Sequence, residues 1–448
     1  MGKYFGTDGF RGEANVTLRV EHAYKVGRYL GYYFGKQHDD GKAHVAIGKD
    51  TRLSSYMFEY ALAAGLAASG ANAYLLHVTT TPSVAYVTRV DGLDCGIMIS
   101  ASHNPFHDNG IKLINKDGEK IDDKLIDEIE EYIDSKEDTL ELAVGDKIGA
   151  TVDYVNARNR YVGYLMGLAK FSFRGYKVGI DAANGSAWSI AKSLFETLGA
   201  EVFLIHAEPN GLNINKDCGS THMEDLQKLV VDKGLNIGFA FDGDADRCLA
   251  VDEEGNIITG DHILFMYSQY LKDRNKLIGN TVVTTVMSNI GLFKALAKLD
   301  INYEKTDVGD KYVRACMARN GYVLGGEQSG HIVFSKYSTT GDGLITALKV
   351  MELMIAKKTT IGQLAGQLEI FPQVLKNVRV KDKVAAMEDK GLLDLIKKEQ
   401  DALGEDGRVF VRKSGTEPVV RVMVEAKTHE ICDETAGRIV DYINANLD

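Results

Sequence analysis

Cysteine and proline are scarce in this 448-residue chain, five of each against 46 glycines. The cysteines (Cys95, Cys218, Cys248, Cys316, Cys432) are odd in number, widely spread and free of CxxC spacing. The sequence therefore suggests neither a disulfide framework nor a zinc site, and small buried side chains are the expectation. Few prolines among many glycines mean flexible turns and little rigid linker. Positive charge is short as well: 52 Lys and Arg against 63 Asp and Glu give a formal charge of -11. That balance disfavours a diffuse basic surface for nucleic acid or anionic lipid, so an anionic substrate would need local basic pockets. Long apolar runs are missing: no stretch approaches the roughly 18 residues that cross a bilayer, and the opening lacks a signal-peptide apolar block. The expectation is a cytoplasmic protein without a membrane or nucleic-acid partner.

What is present is an ordinary globular composition, 45% hydrophobic and 26% charged, too apolar for extended disorder. The length asks for roughly three domains, or four if they are small. A unit of short apolar strand, turn, helix and strand recurs three times. It runs through residues 43–48, 54–69 and 71–76, again through 177–181, 187–198 and 201–205, and more faintly through 281–286, 290–299 and 301–304. Strand, helix and strand in series imply right-handed crossovers and mostly parallel sheets. After residues 371–372 the pattern changes to strand, helix, strands and a final helix near 429–446. The expected fold is α/β: three related mixed-sheet domains (1–154, 155–254 and 255–370) plus a smaller C-terminal α+β domain (371–448) around a central cleft. The boundaries fall at a polar stretch near 150–154 and a hairpin turn at 254–255. Residues 121–134 carry Ile121, Leu125, Ile129, Tyr132 and Ile133 at helical spacing, which reads the acidic run there as a solvated amphipathic helix.

Four constellations carry chemistry. Ser100-Ala101-Ser102-His103-Asn104-Pro105 follows an apolar strand, and a hydroxyl at such a strand end faces the crevice where α/β sheets bind ligands; a capping serine is the bland alternative. Lys112 follows closely. Asp242-Gly243-Asp244-Ala245-Asp246-Arg247 places three carboxylates at alternate positions after another apolar strand, a set that suits magnesium. An EF-hand loop fails on context, since its sixth position holds Arg247 and the flanking segments read as strands. In Gly325-Gly326-Glu327-Gln328-Ser329-Gly330-His331, Glu327 and Ser329 alternate and can meet sugar hydroxyls, while His331 can move protons near neutrality. Arg412-Lys413-Ser414-Gly415-Thr416-Glu417-Pro418, with Arg421, can nest a phosphate dianion. A hydroxyl nucleophile, a divalent-metal site, a sugar reader and a phosphate nest are the parts of phosphoryl transfer on a sugar phosphate, and they should meet in one cleft.

On these four motifs, and on the opening Tyr4-Phe5-Gly6-Thr7-Asp8-Gly9-Phe10-Arg11-Gly12, the chain resembles the α-D-phosphohexomutase family over essentially its full length, and more closely the bacterial phosphoglucosamine mutase branch. The resemblance implies a heart-shaped, four-domain enzyme interconverting glucosamine 6-phosphate and glucosamine 1-phosphate in amino-sugar nucleotide and cell-wall precursor synthesis. Ser102 matches the serine that must be phosphorylated for activity. Asp242, Asp244 and Asp246 match ligands of one Mg2+ per site, with a phosphate oxygen on Ser102 completing it. Glu327 and Ser329 match sugar contacts; Arg412, Ser414, Gly415, Thr416 and Arg421 match the distal phosphate site. Arg11, Lys112 and His331 match positions that assist phosphate or proton transfer. The partners implied are small sugar phosphates, with room for a homodimer.

Two residues depart from the family pattern: Lys413 stands where Pro is common, and Lys311 where Arg is frequent. Lysine there keeps the charge without the planar fork. Three other readings stand beside the main one: phosphoglucomutase or phosphomannomutase activity, a phosphatase with Asp242 as nucleophile, and a non-catalytic sugar-phosphate-binding protein.

Overall fold

The computed structural model describes residues 2–414 and 419–447. The chain forms two compact units, one of residues 1–287 with 301–366 and one of 288–300 with 367–448. The first holds three sheets and the second holds one.

The first sheet has seven strands. Its centre is parallel: Cys95–Ile99, His44–Lys49, Asn72–Val78 and Thr151–Asp153 pair in that order, and Cys95–Ile99 is buried along its whole length. A run of Cys-Gly-Ile-Met-Ile covered on both faces is what a central parallel strand demands. Antiparallel strands extend its other side: Asp108–Asn115, then Gly9–Glu13 and Phe5–Gly6. Thus the sheet is mixed rather than mostly parallel. The polar stretch read as a domain boundary contributes the edge strand Thr151–Asp153, where alternate exposure accommodates polar side chains. Helices Val20–Gly35 and Leu53–Ala68 pack against each other, and glycine sets their distance. A Cβ on Gly65 would lie 2.2 Å from the Tyr24 carbonyl, and one on Gly27 2.4 Å from that of Leu62. Leu30, Phe58, Leu62 and Leu66 fill that core, each fully buried side chain contributing about 1.5–3 kcal/mol.

The second sheet runs Ile257–Ile258, Cys248–Val251, Ile237–Phe241, Lys177–Asp181, Glu201–Ile205, with the last three parallel. The third runs Asn302–Thr306, Thr281–Thr285, Leu324–Gly326, Ile332–Phe334. In each, one antiparallel hairpin follows the parallel strand that ends at the functional loop.

In the second unit, Gln373–Arg379, Val419–Glu425 and Arg408–Lys413 form an antiparallel sheet, covered by helix His429–Asn446 through Cys432, Ala436, Ile439 and Ile443. Where one helix was expected between its first strands there are two, Lys383–Glu388 and Lys390–Leu403. Asp382 and Asp389 cap them, accepting from Val384 and Ala385 and from Leu392, so the second cap interrupts the run.

Candidate active site

Ser102 lies just beyond the buried strand Cys95–Ile99, in the left-handed region with φ +52°. That conformation costs a non-glycine residue about 1–2 kcal/mol, and a set of hydrogen bonds holds it. The Ser102 amide donates to Ser100 Oγ at 2.9 Å, and its carbonyl accepts from Asn215 Nδ2 at 2.8 Å and Arg52 Nη2 at 3.2 Å. Arg52 is wholly buried, ion-paired to Asp50, and also donates to the Asn104 carbonyl at 2.6 Å. The turn aims the hydroxyl out of the first sheet: Ser102 Oγ donates to Asp242 Oδ2 at 2.6 Å. His103 Nδ1 lies 3.3 Å from Ser102 Oγ and 3.1 Å from Arg247 Nη1. Burial, with Arg247 beside it, drives the His103 pKa down to about 4.

Asp242, Asp244 and Asp246 leave the C-terminal end of Ile237–Phe241 and are all buried. Ala245 between them takes φ +56°, which curls the loop so that one oxygen of each carboxylate lies within 4.8 Å of the others. Asp244 Oδ1 and Asp246 Oδ1 are buried without a hydrogen-bond donor. Three converging hard oxygens with two orphaned acceptors fit a divalent cation such as Mg2+. Burial, then Asp246 and Asp244, raises Asp242 well above the carboxylate range. Asp246 moves the other way: burial opposes its ionisation, but Lys112 and His331 overcome that cost. Loop Asp242 to Arg247 is flanked by strands on both sides, as the exclusion of an EF-hand required.

Lys112, on the strand Asp108–Asn115, donates to Asp244 Oδ2 at 2.7 Å and Asp246 Oδ2 at 3.2 Å, and stands 3.3 Å from Asp8 Oδ2. Those three carboxylates outweigh burial and raise its pKa well above the usual value. Asp8 also pairs with Arg11 and with Lys120, whose Nζ is 2.9 Å from Asp8 Oδ1 and 2.6 Å from Asp310 Oδ1. Arg11 faces Gly110 across the strand pair, and Ser100 donates its amide to the Gly110 carbonyl, so Arg11 borders the serine loop. His331 Nδ1 lies 3.7 Å from Asp246 Oδ1 and its Nε2 3.7 Å from Asp310 Oδ2. A cavity of about 520 Å³ adjoins this network, lined by Asp8, Lys112, Lys120 and Lys311 among others.

The loop before His331 joins the same group, because Gly330 accepts the Cys248 amide at 3.1 Å directly after the carboxylate loop. Within it, Glu327 Oε1 accepts from the Gly309 amide at 3.0 Å, and Ser329 is half-buried. Gly260 lets this loop sit close, since a Cβ there would meet the Glu327 carbonyl at 2.0 Å. In the second unit, Arg412 and Arg421 stand opposite each other on neighbouring strands. Burial and the nearby Arg421 lower the Arg412 pKa, the electrostatics of a pair that favours an anion. The Ser414 carbonyl accepts from Lys383 at 2.9 Å. Gly415 and Thr416 lie outside the described residues. Lys311 pairs with Asp123 at 2.6 Å.

The first unit thus gathers Ser102, the three aspartates, Arg11, Lys112, His331 and Glu327. Sequence reasoning missed Asp8, His103, Lys120, Arg247, Asp310 and Thr81, whose hydroxyl donates to Asp244. Asp8, His103 and Arg247 were visible inside quoted motifs as neighbours of assigned residues. Asp310 stood beside Lys311, while Lys120 and Thr81 are isolated polar residues with no local signal.

Profiles of four domains match the chain: phosphoglucomutase/phosphomannomutase alpha/beta/alpha domain I over residues 2–140, domain II over 153–255, domain III over 259–371 and the C-terminal domain over 375–442. The phosphoglucosamine mutase of Lachnospira eligens is 64% identical over 445 residues, 99% of each chain. That of Lachnoclostridium phytofermentans is 60% identical over 440 residues, 98% of each. Among solved structures, a phosphoglucomutase/phosphomannomutase family protein from Burkholderia thailandensis superposes with TM-score 0.81 at 24% identity, covering 100% of this chain and 99% of that one. Aspergillus fumigatus N-acetylphosphoglucosamine mutase in complex with GlcNAc-6P and magnesium gives 0.67 at 19% identity, over 99% and 95%.

Proposed function

Because the chain belongs to the phosphoglucomutase/phosphomannomutase family, we propose that it is an isomerase interconverting glucosamine 6-phosphate and glucosamine 1-phosphate, working from a phosphorylated Ser102 through a 1,6-bisphosphate. The observation that carries the reading is the 2.6 Å hydrogen bond from Ser102 Oγ to Asp242 Oδ2. It joins a hydroxyl carrier from one sheet to a carboxylate triad from another.

Phosphorylated Ser102 has a group to donate; the free serine does not. A hydroxyl of the bound monophosphate attacks phosphorus, the bond from phosphorus to Ser102 Oγ breaks, and the proton given up by the attacking hydroxyl is made good on Ser102 Oγ, which leaves as a free hydroxyl. The bisphosphate turns end over end, and its other phosphate returns to Ser102 by the reverse step. Mg2+, held by Asp242, Asp244 and Asp246, would supply neutralising charge to the phosphoryl group in transfer. Lys112, donating to Asp244 and Asp246, brings a positive charge to the edge of the triad and assists phosphate or proton transfer. Arg11 adds a second positive charge beside the serine loop, and His331 assists proton transfer. Glu327 and Ser329 read the sugar hydroxyls, while Arg412, Ser414, Gly415, Thr416 and Arg421 hold the phosphate that is not reacting. Division near residues 154, 254 and 370 would give each of four domains one of these tasks. Among the described residues no helix is long and apolar enough to cross a membrane; a cytoplasmic location is part of this proposal, on the chemistry of the proposed sugar phosphate substrates.

The test mixes phosphorylated protein, magnesium and glucosamine 6-phosphate and follows the 1-phosphate by phosphorus NMR. Product should appear, and glucosamine phosphates should turn over faster than N-acetylglucosamine, glucose or mannose phosphates. Binding without conversion by the phosphorylated protein would overturn the reading.

A further inference from the structure

We propose that Asp181, His206 and Cys218 form a second cation site, separate from the aspartate triad, that takes a thiophilic divalent metal of the zinc class. Asp181 ends the strand Lys177–Asp181 and His206 directly follows Glu201–Ile205, its parallel neighbour, in which Ile205 is the register partner of Asp181. The two side chains therefore leave the same edge of the sheet, at the strand ends where open α/β sheets bind ligands. Cys218 enters from the loop that leads into the turn Gly219–Thr221. One ligand atom from each of the three lies within 4.8 Å of the others. Asp181 and Cys218 are wholly buried, and His206 is partly exposed, which leaves a path from solvent.

The donors are an oxygen, a nitrogen and a sulfur. That set differs in kind from the all-oxygen triad and matches tetrahedral zinc sites with an open fourth position. The surrounding bonds are those of an oriented ligand set. Asp181 Oδ1 accepts from the Ala183 amide at 2.8 Å and Oδ2 from the Gly219 amide at 2.9 Å, fixing the carboxylate. His206 Nδ1 is 2.9 Å from Asp181 Oδ2, and its Nε2 is 3.2 Å from Asp225 Oδ2. A metal taken up between Nδ1 and Asp181 leaves Nε2–H donating to Asp225, the carboxylate–histidine–metal arrangement that fixes the tautomer. Uptake releases the Cys218 thiol proton and the proton shared by His206 and Asp181. Thiolate and carboxylate then balance the two charges of the ion. His206 holds this pose at φ +47°, a conformation that costs most side chains about 1–2 kcal/mol and places the ring over Asp181.

The same loops reach the catalytic serine. Asn215 donates its amide to the Ala183 carbonyl at 2.9 Å and its side chain to the Ser102 carbonyl at 2.8 Å.

Cobalt(II) is the probe, added to the full-length protein saturated with magnesium, in a Cys316→Ser background because Cys316 is the half-buried thiol among otherwise buried ones. A near-ultraviolet thiolate-to-cobalt charge-transfer band should appear at one equivalent and be displaced by zinc. Cys218→Ser should abolish the band. His206→Asn, which tolerates positive φ and so keeps the fold, should weaken cobalt affinity at least about tenfold. Absence of the band, or a band of unchanged intensity and affinity in either variant, overturns the proposal.

Discussion

Three carboxylates whose oxygens crowd within 4.8 Å repel one another, and Lys112 lies against two of them, at 2.7 Å and 3.2 Å. Lys112→Met leaves buried charge without its counter-ion, so it should destabilise the metal-free protein by about 3 kcal/mol, and magnesium should recover part of that. It should also lower kcat by about two to three orders of magnitude through loss of fixed positive charge at the phosphoryl group. Denaturant titrations with EDTA and with magnesium separate the two effects; equal destabilisation in both would disconnect Lys112 from the cation. Ser102→Ala removes the carrier oxygen but no carboxylate. Turnover should fall by at least about a thousandfold while calorimetric magnesium binding persists, and near-normal turnover would dismiss Ser102 as carrier. At this scale the sequence revealed what is local. Ser102 and the three aspartates lie in short motifs whose spacing states their chemistry. Lys120, Asp310 and Thr81 become parts of the site only because the fold brings Lys120 to Asp8, Asp310 to Lys120 and Thr81 to Asp244, and a charged or hydroxyl residue carries no record of a partner distant in sequence.

At the start of helix Gly260–Lys272 the Thr259 amide donates to His262 Nδ1 at 3.1 Å, the side-chain-to-backbone half of a capping box. That bond needs a neutral ring, and burial lowers the His262 pKa from 6.5 to about 4. With the folded value below the unfolded one, the unfolded chain binds more protons between those limits. The stabilisation is fully present above pH 6.5 and is lost as pH falls toward 4, about 2 kcal/mol of it by pH 5. Glutamine is the customary partner at this third helical position, so His262→Gln should keep the helix start and reduce acid sensitivity by that amount. Unfolding free energies at pH 7 and pH 5 check this, and an unchanged difference between them would assign the sensitivity elsewhere. Elements with strong periodicity were legible: the acidic run at 121–134 is the helix Asp123–Asp134 with Leu125, Ile129, Tyr132 and Ile133 buried. Weakly patterned ones were not. Three residues with only one half-buried side chain, Thr151–Asp153, form a strand because Asn72–Val78 offers them an open edge, which is a tertiary cause that local propensity does not encode.

At the scale of the molecule, the proposed cation ligands Asp242, Asp244 and Asp246 come wholly from the first unit, along with Ser102, Lys112 and His331. The sequence anticipated that the serine, aspartate and Glu327 to His331 loops would converge, because each of these three followed an apolar strand and parallel sheets collect such loops at one edge. It did not show that residues 288–300 leave the third sheet's neighbourhood to join the C-terminal unit; Asn289 does so by donating to the Phe371 carbonyl at 2.9 Å, an exchange of partners that leaves no mark on periodicity. This division makes a physical prediction. A ligand that binds only the folded triad stabilises by mass action, about 2.7 kcal/mol at a hundred times its Kd, and amides that exchange through opening of that unit should slow by about 100-fold. Magnesium should therefore protect strands Ile237–Phe241, Cys248–Val251 and Cys95–Ile99. Rates in Gln373–Arg379, Arg408–Lys413 and Val419–Glu425 should stay as they were. Asp244→Asn, which removes one of the three converging charges, should erase the protection. Hydrogen exchange read by mass spectrometry resolves these segments. Equal protection of the C-terminal strands, or protection that survives in Asp244→Asn, would place the magnesium somewhere other than the buried aspartates.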